Sequence, residues 1–178
     1  MWTGKRSALS LLGYTLLLVA CQPQRESRIA DDTPRVAWWS SITFTPTSTT
    51  VRNTRVRDVD ARWERADVLD TLKLRGLVSP ADVEQFVRSP MSFALTADLD
   101  RDGVAEEFYV GVFETTDGRK GRFAAIERQG RPVQHFTEEG STGFSALLRG
   151  DGEVRWYKCM ECGEFESIRW TGTSYVLE

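Results

Sequence analysis

The densest group of chemically capable side chains is an acidic run near the middle of the sequence, Asp98-Leu99-Asp100-Arg101-Asp102-Gly103-Val104-Ala105-Glu106-Glu107. Calcium takes about six to eight oxygen ligands at about 2.3–2.6 Å in flexible geometry. Acids at alternate positions of a turn can point their carboxylates at one centre, and close carboxylates repel one another unless a cation lies between them. The pattern therefore predicts a Ca²⁺ site, with a metal-free polar turn as the alternative. The expected ligands are the carboxylates, and one backbone carbonyl, of Asp98, Asp100, Asp102, Val104, Glu106 and Glu107.

The residues that follow the acidic run exclude an EF-hand. Tyr109 stands where an EF-hand loop needs its last Glu, and the segment from Phe108 to Phe113 is typical of a strand and not of a helix. The run instead resembles the calcium loop of FG-GAP and VCBS-type repeats, in which Asp-x-Asp-x-Asp-Gly-x-x-Asp leads straight into a strand. Under this resemblance Glu106 replaces the last Asp of the loop. The match covers about fifteen residues and occurs once, whereas those families usually repeat the unit around a β-propeller, for which 178 residues are too few.

A second pattern, Cys159-Met160-Glu161-Cys162-Gly163, has CxxC spacing. We favour a disulfide between Cys159 and Cys162, because an exported chain reaches an oxidising compartment. A zinc knuckle is disfavoured, since a closed zinc site uses four ligands and the sequence has no second CxxC and one histidine, His135. Free thiols and a redox-active pair stay open as alternatives. A thioredoxin-like pair would open a helix after a strand, whereas both flanks here are strand-like.

The beginning of the sequence is typical of an export signal. Lys5 and Arg6 precede an apolar run from Ala8 to Val19, which fits a secretory h-region and is too short to cross a bilayer. The run ends in Leu-Val-Ala before Cys21, which resembles the lipobox of bacterial lipoproteins. The resemblance implies cleavage before Cys21, a diacylglyceryl thioether on its sulfur and an acyl chain such as palmitate on its amino group. An ordinary signal peptide with a coincidental cysteine is the alternative. Gln22 in the next position resembles an outer-membrane sorting signal if the cell is Gram-negative.

The composition excludes several classes of protein. The formal net charge is −3, and such an acidic chain is a poor partner for nucleic acid. The single histidine removes His-rich metal sites and leaves little room for a Ser/His/Asp triad. Three cysteines, an odd number, rule out a disulfide-rich scaffold. With Cys21 assigned to the lipid, the other two remain as a pair.

The elements that must position these residues are predicted from periodicity. Apolar residues at spacings of three predict a helix over residues 58–75, and Ser79-Pro80 predicts the start of a second helix that ends before Pro90. The fold class is therefore predicted to be α+β, with two N-terminal helices followed by an antiparallel β-meander of about six to seven strands. The predicted strands are Phe108–Glu114, Arg122–Arg128, Pro132–Phe136, Phe144–Leu148, Glu153–Lys158, Phe165–Trp170 and Ser174–Leu177.

These features predict three parts of the chain: a removed signal peptide over residues 1–20, a lipidated cysteine and tether over 21–57, and a small domain over 58–178. We expect an exported, membrane-anchored envelope lipoprotein with a structural Ca²⁺ ion, acting as a binding or envelope-maintenance module. The membrane is its partner through Cys21; no protein partner is indicated. An envelope enzyme, either a hydrolase or a thiol oxidoreductase, and a zinc-binding lipoprotein are the alternatives, and the sequence favours a protein that is not an enzyme.

Overall fold

The computed structural model describes residues 37–178. Of these, 42% lie in strands and 15% in helices. The helices are α1 (Trp38–Ser41), α2 (Val56–Val59), α3 (Thr71–Arg75) and α4 (Pro80–Arg88). The strands are β1 (Thr50–Val51), β2 (Thr54–Arg55), β3 (Trp63–Val68), β4 (Ala94–Ala97), β5 (Glu106–Thr115), β6 (Lys120–Arg128), β7 (Arg131–Glu139), β8 (Ala146–Arg149), β9 (Val154–Tyr157), β10 (Phe165–Trp170) and β11 (Tyr175–Leu177).

The strands form three antiparallel sheets. A five-stranded sheet has the order β3-β5-β6-β7, and β4 pairs with the same edge of β5 as β3 does. A four-stranded sheet has the order β11-β10-β9-β8, and β1 pairs with β2 in a small hairpin. All seven strands predicted from the turn signals are present. They are divided between two sheets, so that the predicted meander of about six to seven strands is wrong.

The predicted α+β fold class, with two N-terminal helices before the strands, is wrong: the protein is mostly β, and α4 is the one described helix longer than seven residues. The predicted helix over residues 58–75 is instead the end of α2, strand β3 and the short α3. A β-bulge explains the misleading pattern. It shifts the register of β3 between Trp63 and Arg65, so that Trp63 and Ala66 are both buried at a spacing typical of a helix.

The second predicted helix is present as α4. The Ser79 hydroxyl accepts a hydrogen bond from the backbone N–H of Asp82, and the Asp82 carboxylate accepts one from the backbone N–H of Ser79. This capping box satisfies two backbone groups that a helix start leaves free. Val83 and Phe86 face the core, whereas Val87 is 60% exposed.

The central sheet is buried on both faces. Successive side chains of a strand point to opposite faces, so that Phe108 and Val110 join a large core with the four-stranded sheet, whereas Tyr109 and Phe113 join a smaller core behind it. Segment 42–56 contributes to both cores: Ile42 and Phe44 to the large one, Val51 and Val56 to the small one. The same alternation decides where the acids at the start of β5 point.

Candidate metal centre

The acidic loop spans residues 98–105 and is the connection between β4 and β5. Ala97, the last residue of β4, pairs with Glu106, the first residue of β5, so that the two ends of the loop lie side by side. Gly103 has φ 87° and Arg101 has φ 61°, both in the left-handed region. Gly103 meets this requirement without a steric cost, as the Asp-Gly pattern predicts.

Three of the predicted ligands converge in this loop. Asp98, Asp100 and Glu106 each offer a carboxylate oxygen, and these oxygens lie within 4.8 Å of one another. Two oxygens bound to one Ca²⁺ ion at about 2.3–2.6 Å can lie up to about 5 Å apart. The cluster could therefore hold a metal ion, and its oxygen-only donor set suits a hard cation.

Hydrogen bonds from the loop backbone hold the aspartates in place. Asp98 Oδ2 accepts from the N–H of Gly103 at 3.0 Å, and Asp100 Oδ1 accepts from that of Asp102 at 3.2 Å. Asp102 Oδ1 accepts from the N–H of Val104 at 2.9 Å. The other oxygen of Asp98, Oδ1, is buried and has no hydrogen-bond partner among the described residues. A buried carboxylate oxygen without a donor is costly, and a cation would remove that cost.

Glu106 is the fully buried member of the cluster, with a relative exposure of 0%. Its Oε2 accepts from the N–H of Leu99 at 3.3 Å, which ties the start of β5 to the loop. Its Oε1 accepts from Nε of Arg128 at 3.0 Å and also from a terminal nitrogen of that guanidinium. A buried carboxylate needs such partners, because desolvation of an unpaired charge is expensive.

Arg128, the last residue of β6, is a member of the site that the sequence did not indicate. Its guanidinium contacts Asp100 and Glu106, and it lies 3.1 Å from Asp102 Oδ2. Burial would raise the pKa of Asp100, but hydrogen bonds from Arg128 and the Asp102 backbone outweigh that effect and lower it. The hydrogen bonds that Arg128 donates to Glu106 and, to a smaller extent, to Asp100 raise the pKa of Arg128. The pairing of β5 with β6 brings Arg128 here from far along the chain.

The other three predicted ligands are not members of this triad of converging carboxylates. Glu107 follows Glu106 on β5, so that its side chain points to the opposite face, where it pairs with Arg52. Asp102 lies at the rim with its side chain 45% exposed. Val104 is 37% exposed, and its N–H bonds to Asp102. The structure therefore brings together Asp98, Asp100 and Glu106 and separates Glu107 from them.

Tyr175, on β11, completes the buried surroundings of the acidic cluster. Tyr175 is 3% exposed, and its buried hydroxyl makes no well-formed hydrogen bond among the described residues. Burial raises the pKa of Tyr175, and the negative charge of Glu106, the contact of the hydroxyl with the Glu106 side chain and the charge of Asp100 raise it further.

The cysteine pair lies in the connection between β9 and β10. Cys159 and Cys162 are at disulfide distance, with Cα atoms 5.9 Å apart. Cys159 is buried and Cys162 is exposed, at the edge of a cleft of about 480 Å³ that Lys158 also lines. Among residues 37–178, the one group of three or more potential metal-ligating side chains is the acidic triad, which includes neither cysteine.

The predicted signal peptide, the lipobox and Cys21 lie outside the described residues. Within residues 37–178, no helix has both the length and the apolar character needed to span a membrane. No protein-family model matches the chain. Comparison with curated proteins and with solved structures finds no significant match either.

Proposed function

We propose that this chain is an exported, lipid-anchored envelope protein whose β domain binds one Ca²⁺ ion in the loop between β4 and β5 and acts as a binding module. The observation that carries the calcium site is the convergence of Asp98, Asp100 and Glu106 within 4.8 Å. The unpartnered Oδ1 of Asp98 supports it. The lipid anchor rests on the lipobox pattern that ends at Cys21.

The ion would have a structural role. It would join the loop to the first residue of β5 and neutralise part of the charge of three carboxylates that lie close together. Water and backbone carbonyls would supply the remaining ligands, because Ca²⁺ takes more oxygens than three side chains provide. A rigid loop at the edge of the central sheet is a suitable platform for a partner, since loops held by a scaffold commonly carry binding surfaces.

The size of the stabilisation follows from mass action. Extracellular calcium modules have dissociation constants of about 10⁻⁴–10⁻³ M. At 10 mM Ca²⁺ such a site stabilises the folded state by about 1.4–2.7 kcal/mol. For a domain of this size, the melting temperature rises by about 4–10 °C.

The test is a thermal melt of the full chain in detergent, after removal of metal, in 10 mM Ca²⁺ and in chelator. Asp98→Asn removes one ligand charge and is expected to abolish the Ca²⁺-dependent rise. Asp151→Asn is the matched control, because Asp151 is exposed in another Asp-Gly turn, and it should keep the full rise. Equal melting temperatures with and without Ca²⁺ in the unmodified chain would refute the calcium site.

The anchor has an independent test. In a bacterial host labelled with a palmitate analogue, the unmodified chain is expected to carry the label and to sediment with membranes, whereas Cys21→Ser is expected to lose the label. A chain with Cys159→Ser and Cys162→Ser is the control, since it retains Cys21 and should stay labelled. An unlabelled wild-type chain would contradict the lipoprotein assignment.

A further inference from the structure

One cation already lies among the carboxylates of the proposed calcium site, and it belongs to the chain itself. A single terminal nitrogen of Arg128 hydrogen-bonds both Asp100 and Glu106, two of the three residues that converge on the site. An arginine stays protonated at all physiological pH values, so this charge cannot be removed by titration. It can leave the carboxylates only by moving.

The arginine does not satisfy the whole site. Asp98 Oδ1 is buried beside the cluster with no donor, and the hydroxyl of Tyr175 is buried with no partner within residues 37–178. On the face of the five-stranded sheet opposite to Glu106, the buried hydroxyl of Tyr109 donates to Glu127 Oε1 at 2.7 Å. The fold thus gives Tyr109 a well-formed hydrogen bond to a glutamate, whereas the hydroxyl of Tyr175, close to Glu106, makes none within residues 37–178. A hydrated divalent cation would supply positive charge for Asp98 and a water oxygen as acceptor for Tyr175.

We infer that the Arg128 guanidinium is a built-in competitor that occupies the cation position of the calcium-free protein and moves aside when Ca²⁺ binds. The inference rests on the proposed calcium site. It explains why a group of close carboxylates is compatible with a folded calcium-free protein: the guanidinium offsets part of their mutual repulsion.

The structure offers a route for this movement. The Arg128 side chain is 33% exposed, and the residue lies at the end of β6, next to the turn. Asp102, at the exposed rim, already contacts another nitrogen of the same guanidinium. The guanidinium can therefore release Asp100 and Glu106 and keep Asp102 as a partner. On this reading the third aspartate of the loop holds the displaced arginine and is not a ligand of the ion.

The competition has a consequence for affinity. Ca²⁺ must break the hydrogen bonds of Arg128 to two carboxylates before it can bind them, so that the apparent affinity is lower than that of the carboxylates alone. Removal of the guanidinium should tighten Ca²⁺ binding by roughly tenfold to a hundredfold, which corresponds to one charge-assisted hydrogen bond. It should also lower the melting temperature in chelator, because the carboxylates then lack a counter-charge.

The experiment is a calorimetric Ca²⁺ titration, at fixed ionic strength, of the full chain in detergent and of two glutamine variants. Arg128→Gln is expected to bind Ca²⁺ at least roughly tenfold more tightly than the unmodified chain, with a larger difference in melting temperature between Ca²⁺ and chelator. Arg131→Gln is the matched control. It removes the same charge directly across the hairpin, and Arg131 forms no ion pair within the described part of the chain. Its affinity should change by less than roughly threefold.

The results of the Ca²⁺ titration distinguish a failure of the competitor role of Arg128 from a failure of the calcium site itself. If no chain binds Ca²⁺, the calcium site itself is refuted. If the unmodified chain binds and Arg128→Gln binds equally or more weakly, the competitor role is overturned and the calcium site stands. If Arg128→Gln is unfolded in chelator, Arg128→Lys replaces it, because a lysine keeps the charge and loses the forked geometry. Arg128→Lys should bind more tightly than the unmodified chain by a smaller factor, and unchanged or weaker binding would overturn the inference.

Discussion

Asp67→Asn is expected to loosen the attachment of the threonine-rich segment before β1 to strand β3. One oxygen of Asp67, Oδ2, accepts hydrogen bonds from both the backbone N–H and the hydroxyl of Thr47, and from the N–H of Ser48 at 3.2 Å. The other oxygen lies 3.3 Å from Lys73 Nζ. Four contacts thus converge on a carboxylate that is 11% exposed.

The expected size of the effect follows from these contacts. Asparagine can present its oxygen to Thr47 and Ser48, but it loses the negative charge and the ion pair with Lys73. Hydrogen bonds to a charged group contribute about 1.5–3 kcal/mol, whereas neutral ones contribute about 0.5–1.5 kcal/mol. Because the bonds share one acceptor and do not add fully, we expect Asp67→Asn to lower the free energy of unfolding by about 2 kcal/mol at pH 7.

The difference in unfolding free energy between the unmodified chain and Asp67→Asn is expected to depend on pH. Burial would raise the pKa of Asp67, but the hydrogen bonds from Thr47 and the charge of Lys73 outweigh it and lower the pKa below its ordinary value. A carboxyl group with a lowered pKa in the folded state stabilises fully above its unfolded pKa of about 3.9 and loses that contribution as pH falls through the folded pKa. The difference between the two chains should therefore shrink below about pH 4.

Urea denaturation of both chains at several pH values between about 7 and 2.5 measures this difference. Glu84→Gln is the control, because Glu84 is 61% exposed and its pair with Arg88 lies on the surface of α4; a change under about 0.5 kcal/mol is expected. A change below about 0.5 kcal/mol for Asp67→Asn at pH 7, or one that persists undiminished at the lowest pH, would refute the reasoning.

Three further substitutions test the fold. Gly111→Ala should cost at least about 3 kcal/mol in urea denaturation, or abolish folding, because its Cβ would lie 2.3 Å from Cζ of the buried Phe123. Trp156→Phe should cost about 2–3 kcal/mol by the same assay, since it opens a cavity and removes the 2.6 Å bond from Nε1 to Ser145 Oγ in the core. Ser79→Ala should cost about 1 kcal/mol, measured by thermal melting, through loss of the α4 cap.

Each of these three substitutions has a control substitution. Gly118→Ala meets open space at φ 81° and should cost only about 1 kcal/mol. Trp38→Phe removes an exposed bond to Gln85 and should cost less than Trp156→Phe. Ser79→Asp keeps a capping oxygen and should retain the stability that Ser79→Ala loses. If a substitution and its control lowered the stability equally, the contact assigned to that residue would be contradicted.

The parts of the fold that could be predicted are those that depend on neighbours in the sequence. The capping box at Ser79 and Asp82 forms within one helical turn, and helix α4 follows from it. Glycines with positive φ lie in every connection between successive strands from β5 to β11, and these turns, such as Asp117-Gly118 and Gln129-Gly130, divide the chain into strands because they need residues that tolerate positive φ. Close acids around Gly103 likewise predicted a group of converging carboxylates.

The errors arose where a distant part of the chain overrides the local pattern. The spacing of Trp63 and Ala66 suits a helix, but pairing with β5 forms a strand with a bulge. One signal in the sequence, the strict alternation of Phe108, Val110 and Val112, could have shown that Glu106 and Glu107 point to opposite faces of β5. It places neighbouring residues of β5 on opposite faces.

The sequence by itself determined the chemical type of the candidate site, which is a short run of carboxylates around a glycine. Only the tertiary structure decided which of them converge, because the pairing of β4 with β5 brings Asp98 and Glu106 together and turns Glu107 away. It also brought Arg128 and Tyr175 to the cluster from β6 and β11. No local spacing encodes such contacts, since they depend on strand register and on the packing of one sheet against another.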